Sequence, residues 1–519
     1  MAPLGIIACG HEETARAAEQ ILQSGGNAFD AIVAAHYAAC VAEPILASLG
    51  GGGFLLAHTH DGTDVLYDFF TQTPALRLAQ DACDFYPIHA DFGTTRQEFH
   101  IGMGSVAVPG SIKGMFAIQQ DLCTLPMSEL VAPAQALARN GIPLNSFQAY
   151  ILDIIKPILL ASPATRSVYA NSDNSNGVLG ETERLRFLPM ADLLQVLARE
   201  GDSVFYQGEL AHEIDRLSRE QGGHLRLQDL TDYQVIKRKP LTVDYRHAKV
   251  VTNPPPSSGG ILIAFALKIL DSAGFNNEAR DSSNILSLIA EVMSLTNKAR
   301  LDLTLDSAER QSMLHILDQS YLQQYQREIQ HRSQCLRGTT HMSVIDSQGN
   351  LASMTVSNGE GCGHIIPDTS VMLNNMLGEE DLNPHGFHQW PASHRMTSMM
   401  SPSAVFLADG TRIALGSGGS NRLRTAILQV LINLIDYHMS IEDAVTYPRI
   451  HHENGQLNLE QGFQPATLET LITQYPNSKV WENINLYFGG AHCVMQQGTQ
   501  LIGAGDPRRG GVCILVESS

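Results

Sequence analysis

The sequence predicts an α/β protein, and three observations carry that reading. Residues 10–23 and 30–42 have the apolar spacing of helices, residues 338–357 read as a strand hairpin, and residues 412–437 read as strand, glycine turn and helix. Hydrophobic residues make up 44% of the 519 and charged residues 17%, enough apolar material for a large core and less charge than the usual share of about 25%. The formal net charge of −19 argues against nucleic acid or an anionic membrane as partner.

Taken in order, Ala15, Ala18, Ile21 and Leu22 give the first helix its buried stripe, and Gly25-Gly26 ends it. The second, Asp30 to Ala42, is nearly all apolar and therefore buried, and Glu43-Pro44 stops it. Residues 1–12 carry no Lys or Arg and do not read as a secretory signal. The apolar stretch 31–57 is broken by Glu43-Pro44 and by Gly50 to Gly53, so it fails as a membrane helix. Those four glycines precede an apolar strand and permit close backbone approach. A phosphate loop would need a Lys-Ser/Thr after a strand, which is missing here. The eight cysteines have no CxxC spacing and read as thiols of a reducing compartment, hence a cytoplasmic location.

Strand-like runs follow at 63–70 and 101–108, a helix starts at Pro109-Gly110-Ser111, and helices dominate 127–217 around an Asn/Ser/Gly-rich loop, 171–180. Pro254 to Gly260 cannot be helix or central strand and introduces a helix over 261–270. Residues 310–337 are polar and read as a helix and an exposed linker, a segment that tolerates a cut. His385, His388 and His394 fall in a loop with Pro384, Gly386 and Pro391, and their irregular spacing does not make a metal site. A strand over 412–415 runs into Gly416-Ser417-Gly418-Gly419-Ser420-Asn421-Arg422 and a helix over 423–437. That geometry aims backbone N–H groups at an anion, a phosphate or an oxyanion.

The hairpin begins Gly338-Thr339-Thr340-His341. As ordinary strand residues, Thr339 and Thr340 need no further reading. A cut before Thr339 would change that, because a freed α-amino group has a pKa of about 7.7–8.0 and can act as base to the hydroxyl of the same residue. Gly338 has no Cβ to keep the Thr339 hydroxyl from its carbonyl.

Together these stretches resemble the γ-glutamyltranspeptidases (glutathione hydrolases), a family of N-terminal-nucleophile amidohydrolases. The resemblance runs from about Gly10 to Gly511. It rests on Gly25 to Ala31, Leu49 to Leu56, Val108-Pro109-Gly110, Pro254 to Gly260, Thr339-Thr340-His341, Leu373-Asn374-Asn375, Ser401-Pro402, Gly416 to Arg422, Pro448 to His452 and Asp506-Pro507-Arg508. It implies a four-layer αββα sandwich and a proenzyme that cuts itself before Thr339 into a large subunit, 1–338, and a small catalytic subunit, 339–519, the two forming one composite unit. The substrate would be a small amide, glutathione or another γ-glutamyl compound, with no cofactor and no metal. Thr339 would be the nucleophile, Ser357 the hydroxyl that hydrogen-bonds it, and Gly418 and Gly419 the oxyanion hole. Ser398 would hold the substrate carboxylate, Glu379 its amino group, and Asn358 stands beside a family Asn position that is Gly359 here.

The departures bear on substrate. Family members carry an Arg that pairs with the glutamyl carboxylate; here that position is Phe70, and the second carboxylate-binding serine is Met399. Losing a bidentate Arg–carboxylate contact removes one of the strong charge-assisted pairs. The alternatives are therefore an amidase with a non-glutamyl acyl donor, a chain in which Arg395 or Arg422 supplies the cation, or an uncleaved homologue serving as a binding protein.

Overall fold

A computed structural model describes residues 3–91, 96–171, 174, 176–275, 278–305, 312–318, 321, 338–383 and 386–518. Of the predicted helix and linker over 310–337 only 312–318 and 321 are described, with Ser312–Leu317 a 3-10 turn; the rest of that segment and His385 lie outside the described residues. Two antiparallel sheets form the centre. The first is built from β1 (Pro3–Cys9), β2 (Gly52–His58), β3 (Asp64–Phe69), β4 (Ile236–Arg238), β7 (Thr340–Asp346), β8 (Leu351–Ser357) and β13 (Val512–Glu517), in the order β13-β1-β7-β8-β2-β3-β4. The second contains β5 (Leu241–Tyr245), β6 (Ala248–Thr252), β9 (Ser403–Leu407), β10 (Arg412–Gly418), β11 (Gly490–Gln497) and β12 (Gln500–Ala504), in the order β12-β11-β10-β9-β6-β5.

Helices cover both outer faces. α1 (Glu12–Gln23) and α2 (Ala28–Ala42) pack on β1, β7, β8 and β13, while α3 (Ser258–Ala273) and α4 (Arg422–Ile435) pack on the second sheet; β7 and β8 lie over β10 and β11. This is the four-layer αββα sandwich. The pleat explains how one strand serves two layers: Ile7 and Cys9 of β1 belong to the core under α1 and α2, whereas Ile6 and Ala8 belong to the core that includes the second sheet. The same alternation puts Met342 and Val344 of β7 under α2 and turns the odd-numbered residues of that strand toward the second sheet.

Both early helices form where their sequences place them. The capping box Asn27/Asp30 starts α2, and Asp346 of the β7–β8 turn accepts the Ala28 N–H at 2.9 Å, tying that start to the hairpin. The four glycines meet backbone directly: a Cβ on Gly51 would lie 2.4 Å from Ser357 O, and one on Gly53 2.5 Å from Thr355 O.

Two predicted elements differ. Residues 101–108 are not a strand; the hairpin Tyr86–Asp91/Arg96–Ile101 ends there and Met103–Ser105 is a 3-10 turn. Gly102 turns the chain at φ +99°, and the Asn374 side chain takes both backbone groups of Ala107, at 3.1 and 2.9 Å. The helix predicted over 261–270 starts at Ser258, because Gly259 and Gly260 serve close packing rather than breaking; a Cβ on Gly259 would lie 2.1 Å from Met399 O. Among the described residues no helix is long and apolar enough to cross a membrane.

Candidate active site

The site sits where β7 begins. Thr339 immediately precedes β7 and Ser357 ends its partner β8, and both hydroxyls reach one carbonyl. Thr339 Oγ1 and Ser357 Oγ each donate to Gly338 O at 2.8 Å. Gly359 N–H donates to Ser357 Oγ at 3.0 Å, which leaves the Ser357 hydrogen pointing at that carbonyl.

The residues flanking this peptide are also held. Thr340 Oγ1 donates to Glu43 Oε2 at 2.8 Å, and Thr14 Oγ1 to the other oxygen at 3.1 Å. Burial raises the Glu43 carboxyl above its ordinary range, opposed by His11 and these hydroxyls. Arg509 Nη1 donates to Thr339 O at 3.3 Å, and burial lowers its guanidinium to about 10. His341 is fully buried between Thr355 Oγ1 and Ser343 Oγ, both at 2.8 Å, and burial pushes its imidazole well below the usual range, so it stays neutral. It packs under β10, where a Cβ on Gly416 would meet His341 Cε1 at 2.3 Å. His341 is therefore a spacer between the sheets rather than a base.

A cavity opens beside Thr339, walled by Gly338, Ser357, Gly359, Glu379, Asp381, Ser398 and Ser420, and on its apolar side by Phe70, Met376, Leu382, Met399, Met400 and Leu423. Glu379 is buried and accepts from Asn375 Nδ2 at 3.2 Å; Ser398 Oγ accepts the Met400 N–H at 3.1 Å. Asn375 and Arg509 carry none of the roles expected from sequence, although Asn375 falls in a stretch that marked the resemblance. Asn358 does not line the cavity: its side chain is fully buried against Gly51 and Gly361.

Gly418 backs onto Thr339, since a Cβ there would lie 2.2 Å from Thr339 O. Gly419 follows at φ +119° and Ser420 at φ +54°. The N–H groups of Gly419 and Ser420 donate to no protein acceptor among the described residues, while Ser420 Oγ donates to Asp381 Oδ2 at 2.9 Å. The turn thus presents open donors next to Thr339, though the cavity wall itself runs through Ser420 and Leu423 rather than the two glycines.

Neither alternative arginine reaches the cavity. Arg395 donates to Phe70 O, to Tyr233 Oη and to Gln234 O, and stands 3.6 Å from Asp68, all behind the Phe70 backbone. Arg422 lies over the Tyr487 ring, 4.4 Å from its centroid. Phe70 stacks on Phe54 with ring centroids 5.5 Å apart.

Of the loop histidines, His388 enters a grouping that the spacing does not suggest: ligand atoms of Cys83, His224 and His388 lie within 4.8 Å of one another. His224 Nδ1 accepts the Leu78 N–H at 3.1 Å, so its proton sits on Nε2 and points at Cys83 Sγ, 3.2 Å away. A metal would need that Nε2 lone pair, and metal-bound histidines donate from their other nitrogen, so the donor set does not fit an ion.

The chain is 28% identical over 545 residues to the glutathione hydrolase proenzyme of Escherichia coli K12, covering 97% of this chain and 90% of that one. It is also 28% identical over 484 residues to the acylase ACY 1 proenzyme of Pseudomonas sp. SE83, covering 91% and 86%. In structure it is similar to a cephalosporin acylase from Bacillus halodurans, with a TM-score of 0.83, 23% identity, and 100% and 97% of the two chains covered. Helicobacter pylori gamma-glutamyltranspeptidase aligns with a TM-score of 0.53 at 26% identity, over 63% and 91%. The gamma-glutamyltranspeptidase family profile matches residues 14–516, and the chain belongs to that family.

Proposed function

We propose that the chain is a self-cleaving amidohydrolase whose Thr339 carries an acyl group from an amide donor to water or an amine. The observation that carries this is the pair of hydroxyls, Thr339 Oγ1 and Ser357 Oγ, on the one carbonyl that precedes Thr339. In maturation, Thr339 Oγ1 attacks the Gly338 carbonyl carbon, with Ser357 donating to the oxygen that gains charge. The C–N bond breaks as the hydroxyl proton passes to nitrogen, and water then hydrolyses the ester. Gly338 becomes a C-terminus and Thr339 an N-terminus, giving subunits 1–338 and 339–519. In turnover the Thr339 amine takes the hydroxyl proton, the hydroxyl attacks the substrate amide, the Gly419 turn holds the oxyanion, and the amine product leaves before water or an acceptor amine resolves the ester.

The cavity favours the acylase form of this reaction. Its described lining holds Glu379 and Asp381 and no Arg, Lys or His, and Phe70 and Met399 stand where the family clamps a glutamyl carboxylate. A carboxylate placed there would be desolvated without a counter-charge. A neutral or ammonium-bearing acyl amide fits better than glutathione. A cytoplasmic location belongs to the same proposal, consistent with the seven described cysteines being free thiols; cell fractionation tests it.

Intact mass spectrometry on purified protein tests the function. Wild type splits between Gly338 and Thr339, and Thr339→Ala stays whole. A wild-type chain that remains full-length after long incubation would favour the binding-protein reading.

A further inference from the structure

One contact on Gly338, to its N–H on the far side of the Cα from the scissile peptide, has no part in the chemistry above. Glu360 Oε1 accepts the Gly338 N–H at 2.9 Å, and the Glu360 side chain is only 3% exposed. Its place is set by the turn that follows β8. Gly359 and Gly361 take φ +65° and +92°, a region that suits glycine, and bring the chain back toward Gly338. Asn375 Oδ1 then accepts the N–H of Glu360 at 2.9 Å and of Gly361 at 3.3 Å, fixing the turn. A buried carboxylate is therefore held by its own backbone against the backbone of the residue that precedes the nucleophile.

The geometry matters because Gly338 has no Cβ, and a glycine's peptide planes turn more freely than those of other residues. Thr339 Oγ1 reaches the Gly338 carbonyl carbon productively only while that carbonyl keeps its present direction, toward Thr339 and Ser357. The N–H of the same residue is the handle on the other side. We propose that Glu360 is a positioning residue for self-cleavage: by accepting the Gly338 N–H it keeps the scissile carbonyl turned to the Thr339 hydroxyl. The inference rests on the self-cleaving reading and adds to it a residue whose effect is on maturation.

Three variants separate reach from charge. Glu360→Gln keeps the length and an acceptor oxygen but drops the charge; Glu360→Asp keeps the charge but withdraws the acceptor by one methylene; Glu360→Ala removes both. Precursor is purified from a short cold expression and its cleavage followed by intact mass, with melting curves to confirm folding. Losing a hydrogen bond to a charged group corresponds to roughly tenfold or more in rate. Asp and Ala should slow cleavage by at least about tenfold, and Gln should stay within about threefold of wild type. A merely structural carboxylate would not rank the neutral variant above the charged one. Cleavage of Asp at the wild-type rate, or of Gln as slowly as Ala, overturns the proposal. Should Ala not fold, the Asp–Gln comparison decides alone. A wild type that never splits would bring down the functional reading itself, whereas a wild type and an Asp variant that split equally fast would remove only the role of Glu360.

Discussion

In the proposed reaction, substrate choice turns on Phe70. Its ring lines the cavity and stacks on Phe54, while its carbonyl is taken by Tyr233 and Arg395. Those contacts hold Arg395 behind the backbone, so it cannot stand in for the family arginine without breaking them. Against a panel of γ-glutamyl, glutaryl and simple acyl anilides, mature wild type should prefer the acyl group without a carboxylate. Phe70→Arg should raise kcat/KM for the γ-glutamyl substrate relative to the simple acyl one by about tenfold or more, the worth of one charge-assisted pair. Efficient glutamyl-selective turnover by wild type would contradict this account of the cavity.

At the scale of elements, the site depends on how closely β10 and the glycine run approach Thr339 at the start of the β7–β8 hairpin. β10 extends through Gly418, three residues past the predicted strand end, because Gly416, Ser417 and Gly418 pair with His492, Ala491 and Gly490. That extension sets Gly418 against Thr339 O with no room for a side chain. Gly418→Ala should therefore displace Thr339 and slow both cleavage and substrate turnover by about 100-fold, the usual consequence of a misplacement near 1 Å. Maturation half-time and single-turnover acylation would measure it; near-wild-type values for both would mean that the turn is not coupled to the nucleophile. The helices were legible from apolar spacing and stops, and the hairpin from its turn. The false strand at 101–108 looked right locally, since nothing in its own residues announces that Asn374 will occupy the hydrogen-bonding groups of Ala107.

At the scale of the molecule, the two halves of the chain share both sheets. In the first, β7, lying after the proposed cut, sits next to β1, and β8 next to β2, both from before it; in the second, β6 pairs with β9 across the same division. Cleavage would remove one peptide bond and leave these ladders and their apolar faces intact. The fragments should co-elute as one species in native size exclusion and separate only in denaturant. Fragments that elute apart in native buffer would show that the shared sheets do not hold them.

The sequence by itself singled out Thr339 as the proposed nucleophile, Ser357 as its hydroxyl partner and the glycine turn beside them, because each is written in a contiguous motif whose chemistry depends on neighbours along the chain. It also marked Phe70 and Met399 as departures from the residues expected of a glutamyl clamp. Tertiary structure alone decided what surrounds them. Glu43 meets Thr340 from 297 residues away, Arg509 meets Thr339 from 170, and Arg395 meets Phe70 from 325. Such partners follow from sheet order and register, which place distant residues on one face, while local periodicity records only which face a side chain takes.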